Sequence, residues 1–193
     1  MPDLVGDYLA ESVAALAAFQ ADPATRSTLA AMAEGIIASL RAGRKLLIAG
    51  NGGSAADAQH MAGEIVGRLW FDRAPLAALA LTVDSSVLTA TGNDYGYDRI
   101  FERQVLGLGR PGDVLLGLST SGTTPNILLA FEAARGAGLA CFGFTGSRGG
   151  PMREACTLLL EAPSAKTSVI QQLHIVAIHI VCGLVERAMF PPG

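Results

Sequence analysis

The sequence has 193 residues, with 14 Lys+Arg, 17 Asp+Glu and a formal net charge of −3. This length fits one domain of ordinary size. An acidic chain whose only lysines are Lys45 and Lys166 excludes a protein that works mainly by binding nucleic-acid phosphates. Only 16% of the residues are charged, against roughly 25% in an average globular chain, so we expect subunit interfaces to cover part of the surface.

The hydrophobic segments and the cysteines indicate the cellular compartment of the protein. The longest apolar stretch, residues 173–185, contains two histidines and is shorter than the roughly 18 residues of a membrane span. Three acidic residues precede any hydrophobic run at the N-terminus, unlike a secretory signal. The three cysteines form no CxxC pair, which favours buried free thiols in a reducing compartment. The sequence therefore predicts a cytoplasmic protein with no membrane partner.

The apolar residues follow two different patterns along the chain. Helical spacing predicts two N-terminal helices, over about residues 3–20 and 27–42. Beyond them, short apolar runs that do not alternate with polar residues predict strands buried on both faces. These runs lie at residues 45–49, 76–81, 114–118, 140–144 and 158–160. Segments with helical periodicity follow them at residues 55–69, 86–90 with 97–106, 126–137 and 166–189.

Strands that alternate with helices predict the α/β class. Repeated βαβ units form a doubly wound parallel sheet that is covered by helices on both faces. No linker or internal repeat divides the chain, so residues 1–193 are expected to form a single domain. In such sheets, ligands bind beyond the carboxyl ends of the strands, where the next loops meet helix N-termini. The chemistry is therefore expected directly after each strand.

The loop after the first strand, residues 50–57 (GNGGSAAD), is rich in glycine. Glycine permits positive φ angles and close backbone approach, and Ser54 is placed to cap the following helix. The spacing does not fit the G-x-G-x-x-G dinucleotide fingerprint, because Asp57 stands beyond Gly53. The loop is therefore either a ligand-binding turn or an ordinary strand-to-helix connection.

The loop after the third strand, residues 119–126 (STSGTTPN), carries five hydroxyl side chains. Hydroxyls and free backbone amides at a helix N-terminus form a site for a phosphate dianion. Thr123 stands where a Walker loop has its lysine, which disfavours ATP. The other interpretation is a helix cap rich in Ser and Thr, but the pattern favours a bound phosphate that is not transferred.

Several polar residues lie within predicted helices. His60 and Glu64 are four positions apart and therefore share one helix face. Gln171 and His179 interrupt the apolar last helix about 80° apart, and His174 lies about 140° from His179, so it does not easily share a ligand with it. A carboxylate and an imidazole beside a sugar phosphate can move a proton between adjacent carbons, or can bind a metal. Helical spacing alone leaves catalytic, metal-binding and structural roles open.

Four motifs together resemble one family. Residues 50–60 (GNGGSAADAQH), 91–98 (TGNDYGYD), 119–126 (STSGTTPN) and the helix of residues 171–179 are similar to the phosphoheptose isomerases, SIS-fold enzymes that act on sedoheptulose 7-phosphate. The resemblance covers nearly the whole chain. It implies a five-stranded parallel sheet flanked by helices, with N-terminal helices. It also implies a homotetramer with active sites at subunit interfaces, to which we expect residues 1–42 to contribute.

The resemblance also implies roles for individual residues. Glu64 matches the base that shuttles the proton between C1 and C2, and His179 matches its acid partner. His60, Glu64, Gln171 and His179 match the ligands of one Zn²⁺ per subunit, which leaves open whether Glu64 is base, ligand or both. Thr124 stands where the family usually has Ser and keeps the hydroxyl. The implied substrate contacts are Asn51, Gly52, Gly53, Ser54, Glu64, Asn93, Asp94, Ser119, Thr120, Ser121, Thr124 and Gln171.

These observations predict an aldose–ketose isomerase that converts D-sedoheptulose 7-phosphate to D-glycero-D-manno-heptose 7-phosphate through an enediol(ate). Two alternatives remain at this point. One is a non-catalytic SIS tetramer that binds a protein partner such as the bacterial replication initiator. The other is an isomerase for another sugar phosphate.

Overall fold

The computed structural model describes residues 3–191, so the first two and last two residues of the expected domain lie outside it. The fold is an α/β sandwich that begins with two long helices. The helices are α1 (Leu4–Ala21), α2 (Pro23–Arg41), α3 (Gly53–Val66), α4 (Ser85–Tyr95), α5 (Ile100–Leu108), α6 (Pro125–Gly136), α7 (Met152–Ala155) and α8 (Thr167–Met189). The strands are β1 (Leu46–Gly50), β2 (Ala78–Ala80), β3 (Val114–Leu118), β4 (Ala140–Gly146) and β5 (Leu158–Ala162).

The five strands form one parallel sheet in the order β2-β1-β3-β4-β5. Leu46 on the inner strand β1 pairs with Ala78 of β2 on one side and with Val114 of β3 on the other. The predicted parallel sheet, with one strand in each of the five apolar runs, is confirmed. The strand order reverses between β1 and β3, which is where ligands bind in doubly wound sheets.

The sheet is buried on both faces because its side chains alternate between two apolar clusters. Leu46 and Ile48 pack with residues of α1, α2, α3 and α8. Leu47 and Ala49 point to the other side and pack with residues of α5 and α6. This double burial is the reason that the strands appear in the sequence as continuous apolar runs.

Several helix and strand bounds differ from the predicted ones, most clearly at α2 and α4. Helix α2 begins at Pro23, not near residue 27, because Asp22 caps it: its carboxylate accepts the amides of Ala24 at 3.0 Å and Thr25 at 3.2 Å. Proline at the first helical position donates no hydrogen bond and is tolerated there. Helix α4 continues to Tyr95, beyond the predicted end at residue 90, and the four-residue helix α7 was not predicted.

Helix α8 is long and apolar enough to cross a membrane by length and composition. However, 56% of the relevant window is buried within the protein. Val169, Leu173 and Ala177 pack in the cluster formed by α1, α2 and α3. The apolar character of α8 is therefore accounted for by its position in the core.

Asp113 connects the starts of β1 and β3 at the edge of the sheet where the strands begin. Its carboxylate accepts the backbone amide of Lys45 at 3.0 Å, the Lys45 ammonium at 2.6 Å and the backbone amide of Arg110 at 2.8 Å. Burial alone would raise the pKa of Asp113, but these hydrogen bonds and the lysine charge lower it below its ordinary value. Asp113 is therefore ionised in the folded protein at neutral pH.

Replacing Asp113 by Asn should lower the free energy of unfolding at pH 7 by about 2 kcal/mol, because the buried charge-assisted hydrogen bonds are lost. The folded pKa lies below the unfolded one, so this stabilisation is complete above the unfolded pKa and disappears as the pH falls through the folded pKa. Urea unfolding of both proteins across the acid range measures the difference. The exposed control Glu132→Gln should show no such pH dependence, and a difference for Asp113→Asn that is constant with pH would contradict the assignment.

Candidate active site

The loop between β1 and α3 turns sharply at Gly52, which has a positive φ of 57° and is the N-cap of α3. This conformation is easily adopted by glycine and rarely by other residues. The prediction that Ser54 caps the helix is wrong: Ser54 lies inside the first turn and is buried, and α3 has no side-chain cap. The amides of Ser54 and Ala55 donate to Asn51 O and Gly52 O at 3.0 Å, so the backbone of the loop itself closes the first turn of α3.

Asn51 connects the loops after β1 and β3. Its amide donates to Asn126 Oδ1 at 2.9 Å, and the Asn126 amide donates back to Asn51 Oδ1 at 3.1 Å. The hydroxyl of Tyr97 donates to the same Asn51 oxygen at 3.1 Å. Asn126 and Tyr97 were not among the predicted site residues, although both lie in the motifs. The pairing fixes the two loops on either side of the point where the strand order reverses.

The loop after β3 is folded by its own hydroxyls. Ser119 Oγ lies 2.7 Å from Thr124 Oγ1 and accepts the amide of Gly122 at 3.2 Å. Ser121 Oγ accepts the amide of Thr123 at 3.2 Å. Ser119 is buried, so its hydroxyl shapes the loop, whereas Thr120 and Ser121 line a cavity of about 290 Å³.

This cavity lies between the loops after β3, β4 and β5. Its walls include Thr120, Ser121 and Thr123 from the first loop and Ser147, Arg148 and Gly150 from the second. The first turn of α8 closes the third side. Hydroxyls, backbone amides and a cation in one concave site are suited to a phosphate group.

Arg148 supplies the cation of this cavity. Its side chain is exposed and, among the described residues, forms no ion pair. The second loop is held against the first because the amide of Met152 donates to Gly122 O at 3.3 Å. Sequence reasoning missed Arg148, and the signal that could have found it is its position directly after the fourth strand.

Helices α3 and α8 run side by side and bring three ligand atoms together. His60 Nε2 lies 3.0 Å from Glu64 Oε1 and 3.1 Å from His179 Nε2, and His179 Nε2 lies 3.4 Å from Glu64 Oε1. Atoms bound 2.0–2.1 Å from a tetrahedral Zn²⁺ are about 3.3 Å apart. The spacing and the donor types therefore fit a metal ion.

The Glu64 carboxylate is the least exposed member of this triad, at 11% against 46% for His60 and 45% for His179. Its second oxygen, Oε2, is buried and has no hydrogen-bond partner among the described residues. Burial and the neighbouring Glu64 charge raise the pKa of the Cys182 thiol above its ordinary range. Burial also raises the pKa of Asp57, and His60 opposes this shift. A cation at the triad would supply positive charge beside the buried Glu64 carboxylate.

The other polar residues named in the sequence analysis are not part of the triad and have contacts of their own. Gln171 lies against the start of α3, because a Cβ placed on Gly53 would be 2.5 Å from its Nε2. Asn93 and Asp94 lie in the last turn of α4, exposed and bonded to each other at 2.8 Å. His174 is buried and bonded to Thr145 O at 3.2 Å, and burial lowers its pKa to about 4. The described structure therefore unites His60, Glu64 and His179 but leaves Asn93 and Asp94 outside their contact range.

Comparison with known proteins bears directly on this site. The SIS domain family matches residues 7–146. A phosphoheptose isomerase from Burkholderia pseudomallei (strain K96243) is 58% identical over 186 residues, which cover 96% of this chain and 94% of that protein. The chain belongs to the phosphoheptose isomerases of the SIS domain family.

Solved phosphoheptose isomerases have the same fold. The phosphoheptose isomerase GmhA from Neisseria gonorrhoeae superimposes with a TM-score of 0.88 at 40% identity, covering 94% of this chain and 96% of that one. The phosphoheptose isomerase from Francisella tularensis gives 0.91 at 33% identity, covering 96% and 97%. The predicted family, the SIS fold and the assignment as an aldose–ketose isomerase are confirmed.

If the triad binds a metal, added Zn²⁺ should stabilise the wild-type protein and not the His60→Ala variant. An ion at 100 times its dissociation constant adds about 2.7 kcal/mol to the free energy of unfolding. Thermal unfolding of chelator-treated protein with and without Zn²⁺ measures the gain. The neighbouring exposed variant Gln59→Ala serves as the control and should respond like wild type. An equal gain in His60→Ala would place the ion elsewhere.

Proposed function

We propose that this phosphoheptose isomerase converts D-sedoheptulose 7-phosphate to D-glycero-D-manno-heptose 7-phosphate. The observation that carries the proposal is the 3.4 Å approach of Glu64 Oε1 to His179 Nε2, which places a carboxylate beside an imidazole. General acid–base isomerisation needs these two groups at one reacting centre. The names of the relatives support the heptose phosphate as substrate, and the hydroxyl-lined cavity supports its phosphate group.

The proton transfers that we propose use these two side chains. Glu64 takes a proton from C1 of the ketose while the electron pair forms the C1–C2 double bond and His179 protonates O2. The resulting enediol then loses the O1 proton to His179, and C2 receives a proton from Glu64. One C–H bond breaks and one forms, so the sugar is neither oxidised nor reduced overall.

We further propose that His60, Glu64, Gln171 and His179 hold one Zn²⁺ per subunit. Three of them converge at ligand spacing, and the Gln171 amide extends from α8 two turns before His179. Two neutral imidazoles, an amide and one carboxylate would leave the site with a net charge of about +1. Zn²⁺ bound there would occupy His179 Nε2 and Glu64 Oε1, so in the loaded enzyme the ion, in place of a proton from His179, would polarise the substrate carbonyl and stabilise the enediolate oxygen.

The phosphate is assigned to the cavity beside the first turn of α8. Ser119, Thr120, Ser121 and Thr124 contribute the loop, and Arg148 contributes the positive charge. Further substrate contacts are proposed for Asn51, Gly52, Gly53, Ser54, Asn93, Asp94 and Gln171.

We propose a cytoplasmic homotetramer of single SIS domains, in which neighbouring subunits complete each active site. The two triad histidines are nearly half exposed, and His179 lines one cavity with the exposed apolar residues Trp70, Ile180 and Leu184. Helix α1, within the expected interface segment of residues 1–42, exposes a stripe of apolar side chains. This stripe consists of Val5, Leu9, Val13 and Leu16. Exposed apolar patches of this kind are typical of interaction surfaces.

Neither alternative function is favoured. A SIS tetramer that only binds a protein partner has no use for the converging triad, and the named relatives are isomerases. An isomerase for another sugar phosphate is tested by comparing turnover of heptose, hexose and pentose phosphates.

Glu64→Gln should lower kcat by about 10²- to 10⁴-fold, because the general base is lost while the shape of the side chain is kept. Incubation of wild-type enzyme with sedoheptulose 7-phosphate in D₂O should introduce deuterium at C2 of the aldose. Mass spectrometry of the product follows the label. Deuterium that enters at the wild-type rate in Glu64→Gln would remove Glu64 from the role of base.

Arg148→Ala should raise KM for the sugar phosphate by about tenfold, because a charge-assisted contact to phosphate is lost, and should change kcat much less. Arg148→Lys should retain part of the affinity. Steady-state kinetics measures the change in KM. The matched control Arg44→Ala removes the same charge from an exposed arginine at the opposite edge of the sheet and therefore shows the effect of net charge alone. An unchanged KM in Arg148→Ala would exclude the contact.

A further inference from the structure

A buried ion pair fastens the connection between α3 and β2 to helix α8. Arg73 Nε donates to Glu186 Oε1 at 3.2 Å, and the two side chains are 2% and 1% exposed. The same carboxylate accepts the backbone amides of Leu69 at 2.9 Å and Trp70 at 2.8 Å. Burial alone would raise the pKa of Glu186, but these amides and Arg73 lower it, so the pair is ionic at neutral pH.

The other end of the Arg73 guanidinium binds the last turn of α3. Nη2 donates to Glu64 O at 2.6 Å, and Nη1 donates to Ile65 O at 2.8 Å. Carbonyls at a helix C-terminus have no partner within the helix, and a cation there also interacts favourably with the helix dipole. The residue whose carbonyl is held in this way is the triad carboxylate, Glu64.

The ion pair spans the same groove as the triad. Glu186 follows His179 by seven positions, which places both on the same face of α8, two turns apart. Arg73 therefore connects the backbone of Glu64 to the helix face that carries His179. The side chains of Glu64 and His179 meet 3.4 Å apart within this frame.

We propose that Arg73 and Glu186 are positioning residues that set the spacing of Glu64 and His179 for proton transfer. Ion pairs in a protein interior are weak evidence for stability, because removing water from both charges offsets much of their attraction. Arg73 donates hydrogen bonds to Glu64 O and Ile65 O, and Glu186 accepts hydrogen bonds from two loop amides. These bonds are directional, unlike apolar packing, and therefore fix α3 relative to α8 in both distance and rotation. Catalytic geometry is sensitive to displacements of this kind.

The inference rests on the proposed function, and its test uses the whole enzyme. Arg73→Lys keeps the charge but does not reach Glu186 and both carbonyls at once. We expect kcat to fall about 10- to 100-fold, with KM for sedoheptulose 7-phosphate within about twofold of wild type because the phosphate cavity is untouched. Glu186→Gln should behave in the same way. Circular dichroism and size-exclusion chromatography establish that each variant is folded at the assay temperature.

Asp113→Asn is the matched control for loss of stability. It removes a buried carboxylate from a different ion pair, whose contacts are Lys45 and the amide of Arg110 and include neither Arg73, Glu186 nor the triad. At a temperature where it is folded, its kcat should equal that of wild type. The double variant Arg73→Met/Glu186→Leu removes both charges together and leaves no unpaired charge in the core, so its kcat should stay low even where its thermal stability approaches that of wild type. Wild-type kcat in the folded Arg73 and Glu186 variants, or an equal loss in Asp113→Asn, would overturn the proposal.

A second measurement separates this proposal from the proposed function. The affinity for Zn²⁺, measured by competition with a chromophoric chelator, should fall about 10- to 100-fold in Arg73→Lys and not in Asp113→Asn. Suppose that the wild-type enzyme does not turn over the heptose phosphate but that Arg73→Lys binds Zn²⁺ more weakly than wild type does. The substrate assignment then fails and the positioning role stands. Unchanged Zn²⁺ affinity together with unchanged kcat refutes the positioning role alone.

Discussion

The site depends on the packing of α3 against α8. One oxygen of the Glu64 carboxylate is buried with no hydrogen-bond partner among residues 3–191, and the other faces two imidazoles. A buried anion is stable only beside compensating positive charge or donors. His60, one turn before it on α3, and His179, across the groove on α8, are the groups that the fold supplies for this purpose. Everything that fixes the two helices therefore also determines the position and reach of the Glu64 carboxylate.

The proposed phosphate cavity and the proposed proton-transfer residues belong to different elements. The phosphate cavity is built from the loops after β3, β4 and β5, whereas the triad lies on α3 and α8. Helix α8 is common to both, because its first turn borders the cavity and His179 lies three turns further on. A rigid connection of this kind lets binding energy from the phosphate orient the reacting carbons, which is how contacts remote from the chemistry contribute to catalysis.

The sequence predicts the sheet well because strands buried on both faces leave an unmistakable apolar pattern, as in residues 114–118. His60 and Glu64 were paired from spacing, since residues four apart share a helix face. The meeting of His60 with His179, 119 positions away, came only from the family resemblance, because no local pattern encodes the register of two helices. Arg73 was missed for the same reason, because its contacts with Glu186 and the end of α3 exist only in the folded chain, whereas the position of Arg148 directly after the fourth strand could have indicated it. Ser54 was misassigned because a glycine, Gly52, occupies the cap position.

The exposure of the triad argues for a neighbouring subunit. The enediol of the proposed mechanism is protected from side reactions in a site from which bulk water is largely excluded. In the described structure, however, His60 is 46% and His179 45% exposed, although Trp70 from the loop after α3 lines a cavity with His179. The apolar side chains of Trp70, Ile180 and Leu184 around this opening would be costly to leave in water and suitable to bury against protein. A neighbouring subunit would meet both needs, because a surface that excludes water from the triad would also bury the apolar side chains beside it.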